Sequence, residues 1–408
     1  MKNYKTKSLA SIVFVMTCLN LSAITYNAND SNKIFHTFDS LYLVAKMNYS
    51  PDARTSIFDI KCSTFNNILI ITGKTNNIDA ITFLKTKLTN NNIEFMDSIK
   101  MLPGENLQEK IYAVVNNSVS NHRTKPSNSA ELTTQALLGM PLNILDKKTY
   151  WYKVQTPDNY IAWVDNGAIN LMTKSEINEW LTCKKIVYYK LTGYSYEKPN
   201  ENSQIVTDLV ICNVLKYLGT EGKFILVAYP DGRKAYIKKT ECIDYEAWLN
   251  MKTPTADDII NTAKRFMGLP YLWGGTSAKA LDCSGLTKTT FLIHAVNLQR
   301  DASQQVNYGE NLSINNSIET LQKGDLLFFG DKKSDISKGL VTHVALYMGN
   351  QKFIHASGSV SVNSFNKNDI YFSQYRLNMF LTSKDYITKI GSKGIEKIKD
   401  CELYQIRK

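Results

Sequence analysis

The spacing of apolar residues changes character several times along this chain, and each change marks a boundary. Between residues 24 and 110, SIFDIKC and NILIITG show the period-two pattern of strands, with a polar turn near Asn66 and Asn67 between them. NIDAITFLKTKL places Ile78, Ile81, Leu84 and Leu88 at helical spacing, and IEFMDSI returns as a strand. This block predicts a small α+β unit in which no residue suggests chemistry. Residues 111–172 switch to short apolar runs separated by turn residues: YAVVNNSVSNHR, QALLGMPLNIL, YWYKVQTP and NYIAWVDN. They predict a small β-barrel. Residues 173–250 open with a short helix at 174–181 and repeat the barrel pattern through KIVYYKLTG, LVICNVLKYLG and KFILVAYPDGRKAYIK. PDGR is a hairpin turn signal between aromatic strands.

The block 251–385 reads differently. Thr255 and Asp258 form a capping-box pattern ahead of Ile259, Ile260, Ala263, Phe266 and Met267, and Gly268 suits the position that stops that helix. A second helix is expected over 284–298, and GDLLFFG, HVALYMG and FIHASG read as strands. Helices followed by antiparallel strands predict an α+β domain. Residues 386–408 form a Lys-rich tail to which no role is assigned.

Composition narrows the class only a little. With 43% hydrophobic and 21% charged residues over 408 positions, the chain is globular and long enough for several cores. A net charge of +11 favours acidic partners, but the lysines are dispersed and no nucleic-acid-binding motif is present. Lys2, Lys5 and Lys7 precede an apolar run from Leu9 to Ala23, the layout of a secretory signal occupying residues 1–23. Export to the periplasm or cell envelope is therefore expected, without a membrane span in the mature form. Cys18 is a candidate lipidation site. The seven cysteines are widely spaced with no C-x-x-C pair, so neither a metal site nor any cofactor is expected.

One cysteine stands apart. In GLPYLWGGTSAKALDCSGL, Cys283 falls where a glycine-rich aromatic loop becomes a helix. A helix N-terminus with a nearby histidine lowers a thiol pKa, and its N–H groups can face a developing oxyanion. His343 and His355 are the candidate partners; His294 sits mid-helix and reads as a core residue. A three-residue hairpin loop at 349–351 sets Ala345 opposite His355, which brings His343 onto the same face. The roles then follow: Cys283 as nucleophile, His343 as base, His355 fixing the His343 tautomer, and the Tyr271 hydroxyl adding to the oxyanion hole.

These motifs, with RDASQQ, closely resemble the NlpC family of bacterial cell-wall cysteine peptidases over about residues 254–381. The resemblance implies a papain-like cysteine peptidase domain, preceded by two small β-barrels and an N-terminal α+β unit. The domain order resembles the γ-D-glutamyl-L-diamino acid endopeptidases with two bacterial Src-homology-3-like domains. That implies hydrolysis of the bond between the D-Glu side-chain carboxyl and meso-diaminopimelate or Lys in murein (peptidoglycan) peptides; separately, a monomer is expected. It further implies that Glu131 in AELTTQALLG and Tyr160 in NYIAW, with Asp282, hold the free amine of an N-terminal L-Ala. Tyr271, Trp273, Ser284 and Ser303 match cleft-lining positions of the family. Three positions depart from the pattern: Asn159, Ala162 and Ala280 stand where the family has glycine. Two other readings remain open at this point, a non-catalytic wall-binding protein and an acyltransferase on the same fold.

Overall fold

The computed structural model describes residues 28–65, 68–311, 318–331 and 341–406. The expected leader at 1–23, Cys18 and the turn residues Asn66 and Asn67 lie outside the described residues. The N-terminal unit comprises α1 (Ala28–Tyr49), β1 (Phe58–Phe65), β2 (Ile68–Thr75), α2 (Ile78–Asn90) and β3 (Phe95–Met101). β1 and β2 run antiparallel, while α2 carries the chain across to pair β3 parallel to β2. Asn77 caps α2 by accepting the Ala80 N–H, and Ile81, Leu84 and Leu88 pack onto the sheet.

Two seven-stranded barrels follow. The first contains β4 (Tyr112–Val115), β5 (Val119–Arg123), β6 (Leu132–Leu137), β7 (Pro141–Lys148), β8 (Trp151–Gln155), β9 (Ile161–Asp165) and β10 (Ile169–Met172). The helix α3 (Lys174–Thr182), with a Thr173–Glu176 capping box, leads into the second. That barrel contains β11 (Lys185–Tyr188), β12 (Thr192–Tyr196), β13 (Ile205–Val210), β14 (Val214–Glu221), β15 (Phe224–Ala228), β16 (Lys234–Lys238) and β17 (Cys242–Asp244). The barrels touch where the Val214 N–H donates to the Leu138 carbonyl at 2.9 Å. Gly139 is required there: its φ is +83°, and a Cβ would lie 2.2 Å from the Val214 carbonyl oxygen.

The last domain has α4 (Tyr245–Leu249), α5 (Ala256–Lys264), the short strands β18 (Thr276–Ser277) and β19 (Ala280–Leu281), and α6 (Cys283–Ile293). After them come β20 (Val296–Leu298), α7 (Ala302–Gln305), β21 (Glu310–Asn311), β22 (Leu326–Gly330), β23 (Val341–Gly349), β24 (Lys352–Ser357), β25 (Ser359–Ser364), α8 (Gln374–Met379), β26 (Phe380–Asp385) and β27 (Ile395–Lys397). Its six-stranded sheet runs β21-β26-β22-β23-β24-β25, and α6 packs against β23 and β24. This is the α+β, papain-like arrangement expected.

Several expectations need correction. Helix α5 stops at Lys264, short of Gly268, and Met267 is exposed; Gly268 instead supplies the left-handed turn (φ +79°) leading to the active loop. Helix α6 does not run to 298. It ends at Ile293, and the chain turns through Ala295 (φ +57°) into β20. β20 pairs with β27, so the Lys-rich tail is part of the fold: Ile395, Ile398, Cys401 and Leu403 are buried. The hairpin loop is not three residues either. Asn350 and Gln351 form a two-residue turn with positive φ, and Met348 bulges out between the Tyr347–Phe353 and Gly349–Lys352 pairs. The bulge supplies the odd parity, so Leu346 pairs with Ile354 and Ala345 aligns with His355 as the face argument requires.

Candidate active site

Cys283 is the first residue of α6. Asp282 caps the helix, accepting the Gly285 N–H at 2.7 Å, which fixes the Cys283 thiol at the helix N-terminus. Gly285 has no room for a side chain, since a Cβ would stand 1.9 Å from the Gly275 carbonyl oxygen. Gly274, at φ +81°, lets the active loop approach the first barrel: a Cβ there would meet the Leu132 carbonyl oxygen at 2.6 Å. Thr276 clasps the same strand, its hydroxyl donating to the Gln135 carbonyl at 2.9 Å and its N–H to Gln135 Oε1 at 3.0 Å.

The two histidines meet on β23 and β24. His343 Nε2 lies 2.8 Å from His355 Nδ1, with the rings nearly perpendicular. His355 Nε2 lies 2.9 Å from Asn363 Oδ1 on β25. The amide of Asn363 is oriented by its Nδ2 donating to the Tyr371 carbonyl. Protons are thereby assigned: His355 donates from Nε2 to Asn363, accepts at Nδ1 from His343 Nε2–H, and leaves His343 Nδ1 as a free acceptor. Sequence reasoning misses Asn363. It lies on the same face as Ser361, which pairs with His355, so the alternation rule extended by one strand would find it.

The thiol behaves differently from the sequence-based expectation. Burial and then the Asp282 charge push Cys283 up to about 11, outweighing the N–H groups of Val344 and Ser284 that favour the thiolate. Burial, then the Arg376 guanidinium and His355, hold His343 well below the ordinary imidazole value. Burial and Arg376 likewise lower His355 to about 4. The resting pair is thus a neutral thiol and a neutral imidazole, because the thiol of Cys283, a residue 7% exposed, loses more from desolvation than the helix end restores.

Cys283 opens into a cavity of about 470 Å³ that also reaches Tyr271, Trp273, Asp282 and Ser284 of the catalytic domain, Ser303 of α7, and Glu131 and Tyr160 of the first barrel. The His343–His355 pair lies on β23 and β24, and Val341 and Thr342 at the start of β23 line the same cavity. Glu131 accepts the Trp273 indole N–H at 2.8 Å. Tyr160 follows Asn159, which fills a family glycine position with a left-handed φ of +64°, a conformation asparagine tolerates. The turn carrying Tyr160 is locked to the catalytic domain by the buried Asp158–Lys288 ion pair at 3.0 Å. Ser284 is buried and accepts from Arg300 at 3.0 Å.

Asp282 is not a free acceptor. Buried Arg300 (1% exposed) grips both its oxygens, and the Gly274 N–H donates to Oδ2 at 2.9 Å. A further carboxylate, Asp301, stands beside it. Its Oδ2 accepts the Tyr160 hydroxyl at 3.2 Å and Arg54 Nη1 at 2.8 Å, and burial raises its pKa despite both arginines. Arg300 and Asp301 lie in the RDASQQ motif but carry no local signal of these contacts. Arg54 comes from the N-terminal unit, which therefore does contribute to the site. Among the described residues no cluster of His, Cys, Asp or Glu has metal-binding geometry, and no helix is long and apolar enough to cross a membrane.

A papain-like domain that carries a cysteine at a helix N-terminus and a His–His–Asn relay on its sheet has the make-up of a cysteine peptidase. Residues 268–379 match the NlpC/P60 family, and residues 122–169 match the bacterial dipeptidyl-peptidase Sh3 domain. The chain is 35% identical over 238 residues to a gamma-D-glutamyl-L-lysine dipeptidyl-peptidase of Bacillus cereus, covering 56% of this chain and 68% of that one. It is 27% identical over 297 residues to dipeptidyl-peptidase 6 of Lysinibacillus sphaericus, covering 69% and 98%. The crystal structure of an NlpC/P60 family protein from Bacillus cereus superposes with a TM-score of 0.58 at 27% identity, covering 68% of this chain and 99% of that one. The chain belongs to the NlpC/P60 family of cysteine peptidases, a family of peptidoglycan endopeptidases.

Proposed function

We propose that the protein cleaves the γ-D-glutamyl–diamino acid bond of murein peptides that begin with a free L-Ala. The observation that carries this reading is the pairing, in one cavity, of the Cys283 thiol with a group of oxygen acceptors from two domains: Glu131, the Tyr160 hydroxyl and Asp301. An ammonium group has three donors and gains most from charged acceptors. The names of the two peptidase relatives, both dipeptidyl-peptidases, support the same polarity.

In the reaction, His343 Nδ1 takes the thiol proton as Sγ attacks the γ-carbonyl of D-Glu. The Tyr271 hydroxyl and the N–H groups opening α6 stabilise the tetrahedral oxyanion. Collapse breaks the C–N bond, and His343 returns the proton to the leaving α-amine of the diamino acid. Water, deprotonated by His343, then hydrolyses the thioester to release L-Ala-D-Glu and regenerate the thiol. A neutral resting pair suits this order, since base and proton are both in place before attack. The domain spans 24–110, 111–172, 173–250 and 251–385 belong to this reading, with the first barrel building the amine end of the cleft. The test is incubation with L-Ala-γ-D-Glu-meso-diaminopimelate. Release of L-Ala-D-Glu is expected, and Cys283→Ala should lower it by at least about 10⁴-fold; an undiminished rate in that variant refutes the assignment.

A further inference from the structure

The loop between α1 and β1 leaves its own unit and inserts between the first barrel and α7. Its backbone is held on the barrel side, where the Ile161 N–H donates to the Arg54 carbonyl at 2.7 Å and Gln155 Nε2 to the Thr55 carbonyl at 3.2 Å. On the catalytic side, Gln304 Nε2 donates to Asp52 Oδ2 at 2.8 Å. Between these anchors lies the Arg54 side chain. Asp52 grips one edge of it, with Nε to Oδ1 and Nη2 to Oδ2 both at 2.8 Å. The other edge points into the cleft, where Nη1 donates to Asp301 Oδ2 and Ser303 Oγ, each at 2.8 Å. A planar fork held on both edges has little freedom to swing aside. Burial pushes Asp52 up, but its bonds to Arg54 outweigh that and hold it below the ordinary carboxylate value.

Two cavities meet at this point. One is the 470 Å³ cavity of Cys283. The other, about 840 Å³, lies beyond the loop and is walled by the N-terminal unit, the first barrel and the catalytic domain, including Lys393 and Glu396 near β27. The residues lining both are Arg54 and Ser303, so the Arg54–Ser303 hydrogen bond is the partition between them. It stands next to Tyr160 and Asp301, at the end of the cleft assigned to the substrate amine. The charge also fits. Two carboxylates, Asp52 and Asp301, flank one guanidinium, so the wall carries a net negative charge and does not repel an ammonium group.

We propose that Arg54 is a specificity-determining residue that closes the amine end of the cleft, so that peptides acylated on the N-terminal L-Ala are excluded for want of space beyond it. The proposal rests on the reading of the amine end given above. It assigns the N-terminal unit a role in substrate choice, and neither family match, at 122–169 or 268–379, reaches Arg54. Removal of the side chain joins the two cavities and gives an N-acyl group somewhere to lie.

The experiment compares kcat/KM for L-Ala-γ-D-Glu-meso-diaminopimelate and its N-acetyl form in the full-length protein and in Arg54→Ala. The wild type is expected to prefer the free amine, and Arg54→Ala to raise the N-acetyl to free-amine ratio about tenfold or more. An unchanged ratio in a variant with wild-type thermal unfolding overturns the role of Arg54 while leaving the amine pocket intact. A wild type that cleaves both peptides equally refutes the amine pocket itself, and this proposal with it. Should Arg54→Ala not fold, Arg54→Gln, shorter and without the fork, takes its place: a raised ratio supports the partition and an unchanged ratio overturns it.

Discussion

The two barrels share one topology and differ in what they touch. Taken from its far end, the second sheet runs β17-β11-β14-β15-β16-β12-β13, strand for strand the order β10-β4-β7-β8-β9-β5-β6 of the first. Even the bulge recurs, between Ile144 and Asp146 in β7 and between Tyr217 and Gly219 in β14. Yet Glu131, just before β6, and Tyr160, just before β9, line the catalytic cavity. The matching positions before β13 and β16 are Gln204 and Arg233, and neither reaches it. The first barrel is clasped to the active loop through buried Thr276 and Gln135, whereas the second meets that region through the partly exposed Lys279–Asp208 pair at 2.7 Å. Of two barrels with one topology, only the first thus reaches the cavity, through where two of its loop ends are docked.

That contrast can be tested at four levels. The largest effect is expected from acid. His122 is fully buried in the first barrel, and burial lowers its imidazole to about 4, with Asp158 opposing; the second barrel contains no histidine. The unfolded chain takes up this proton near 6.5 and the folded one does not. Its stabilising contribution is therefore complete above pH 6.5 and is lost as pH falls toward 4, a change on the order of 3 kcal/mol. Hydrogen exchange across that range should show first-barrel amides losing protection ahead of second-barrel amides. Simultaneous loss would remove the distinction.

Next comes Glu131→Ala, expected to reduce kcat/KM for the free-amine peptide about a hundredfold through loss of a charged acceptor. Gln204→Ala should leave it unchanged, so a matching loss there would show that the effect is structural. Tyr160→Phe is expected to cost about tenfold, and Arg233→Ala nothing, in the same assay. Smallest is the clasp: Thr276→Val should lower stability by about 1 kcal/mol in urea denaturation. Asp208→Asn, which breaks an exposed pair, should change it by no more than a few tenths of a kcal/mol. Equal effects would mean that both barrels are held with similar strength.

Much of this organisation is legible in the sequence wherever it depends on near neighbours. Strand alternation, the Thr255 capping box and the glycine-rich approach to Cys283 are local, and the structure contains them. The facing of His343 and His355 is also legible, because parity along two adjacent strands decides it. The device that sets the parity is not: a bulge at Met348 and a longer loop give the same alternation. Contacts across long separations leave no periodic trace. Arg54 meets Asp301 across 247 positions, and Arg54 taken alone is an ordinary polar loop residue. The end of α6 is hidden because apolar spacing continues through Val296 and Leu298, whose partner strand arrives about a hundred residues later as β27. The thiol's pKa is hidden for a related reason. A helix end can be read from sequence, but how completely the fold excludes water from it cannot.

The protonated state of Cys283 has a consequence for chemical durability. Thiolates are the species that attack peroxides and disulfides, and Cys283, 7% exposed and with its thiol pushed up to about 11, offers little of that form. Under the proposed mechanism, reactivity appears only when a substrate carbonyl is positioned for attack and His343 can take the proton in the same step. At rest the sulfur is thus held in its least oxidisable form.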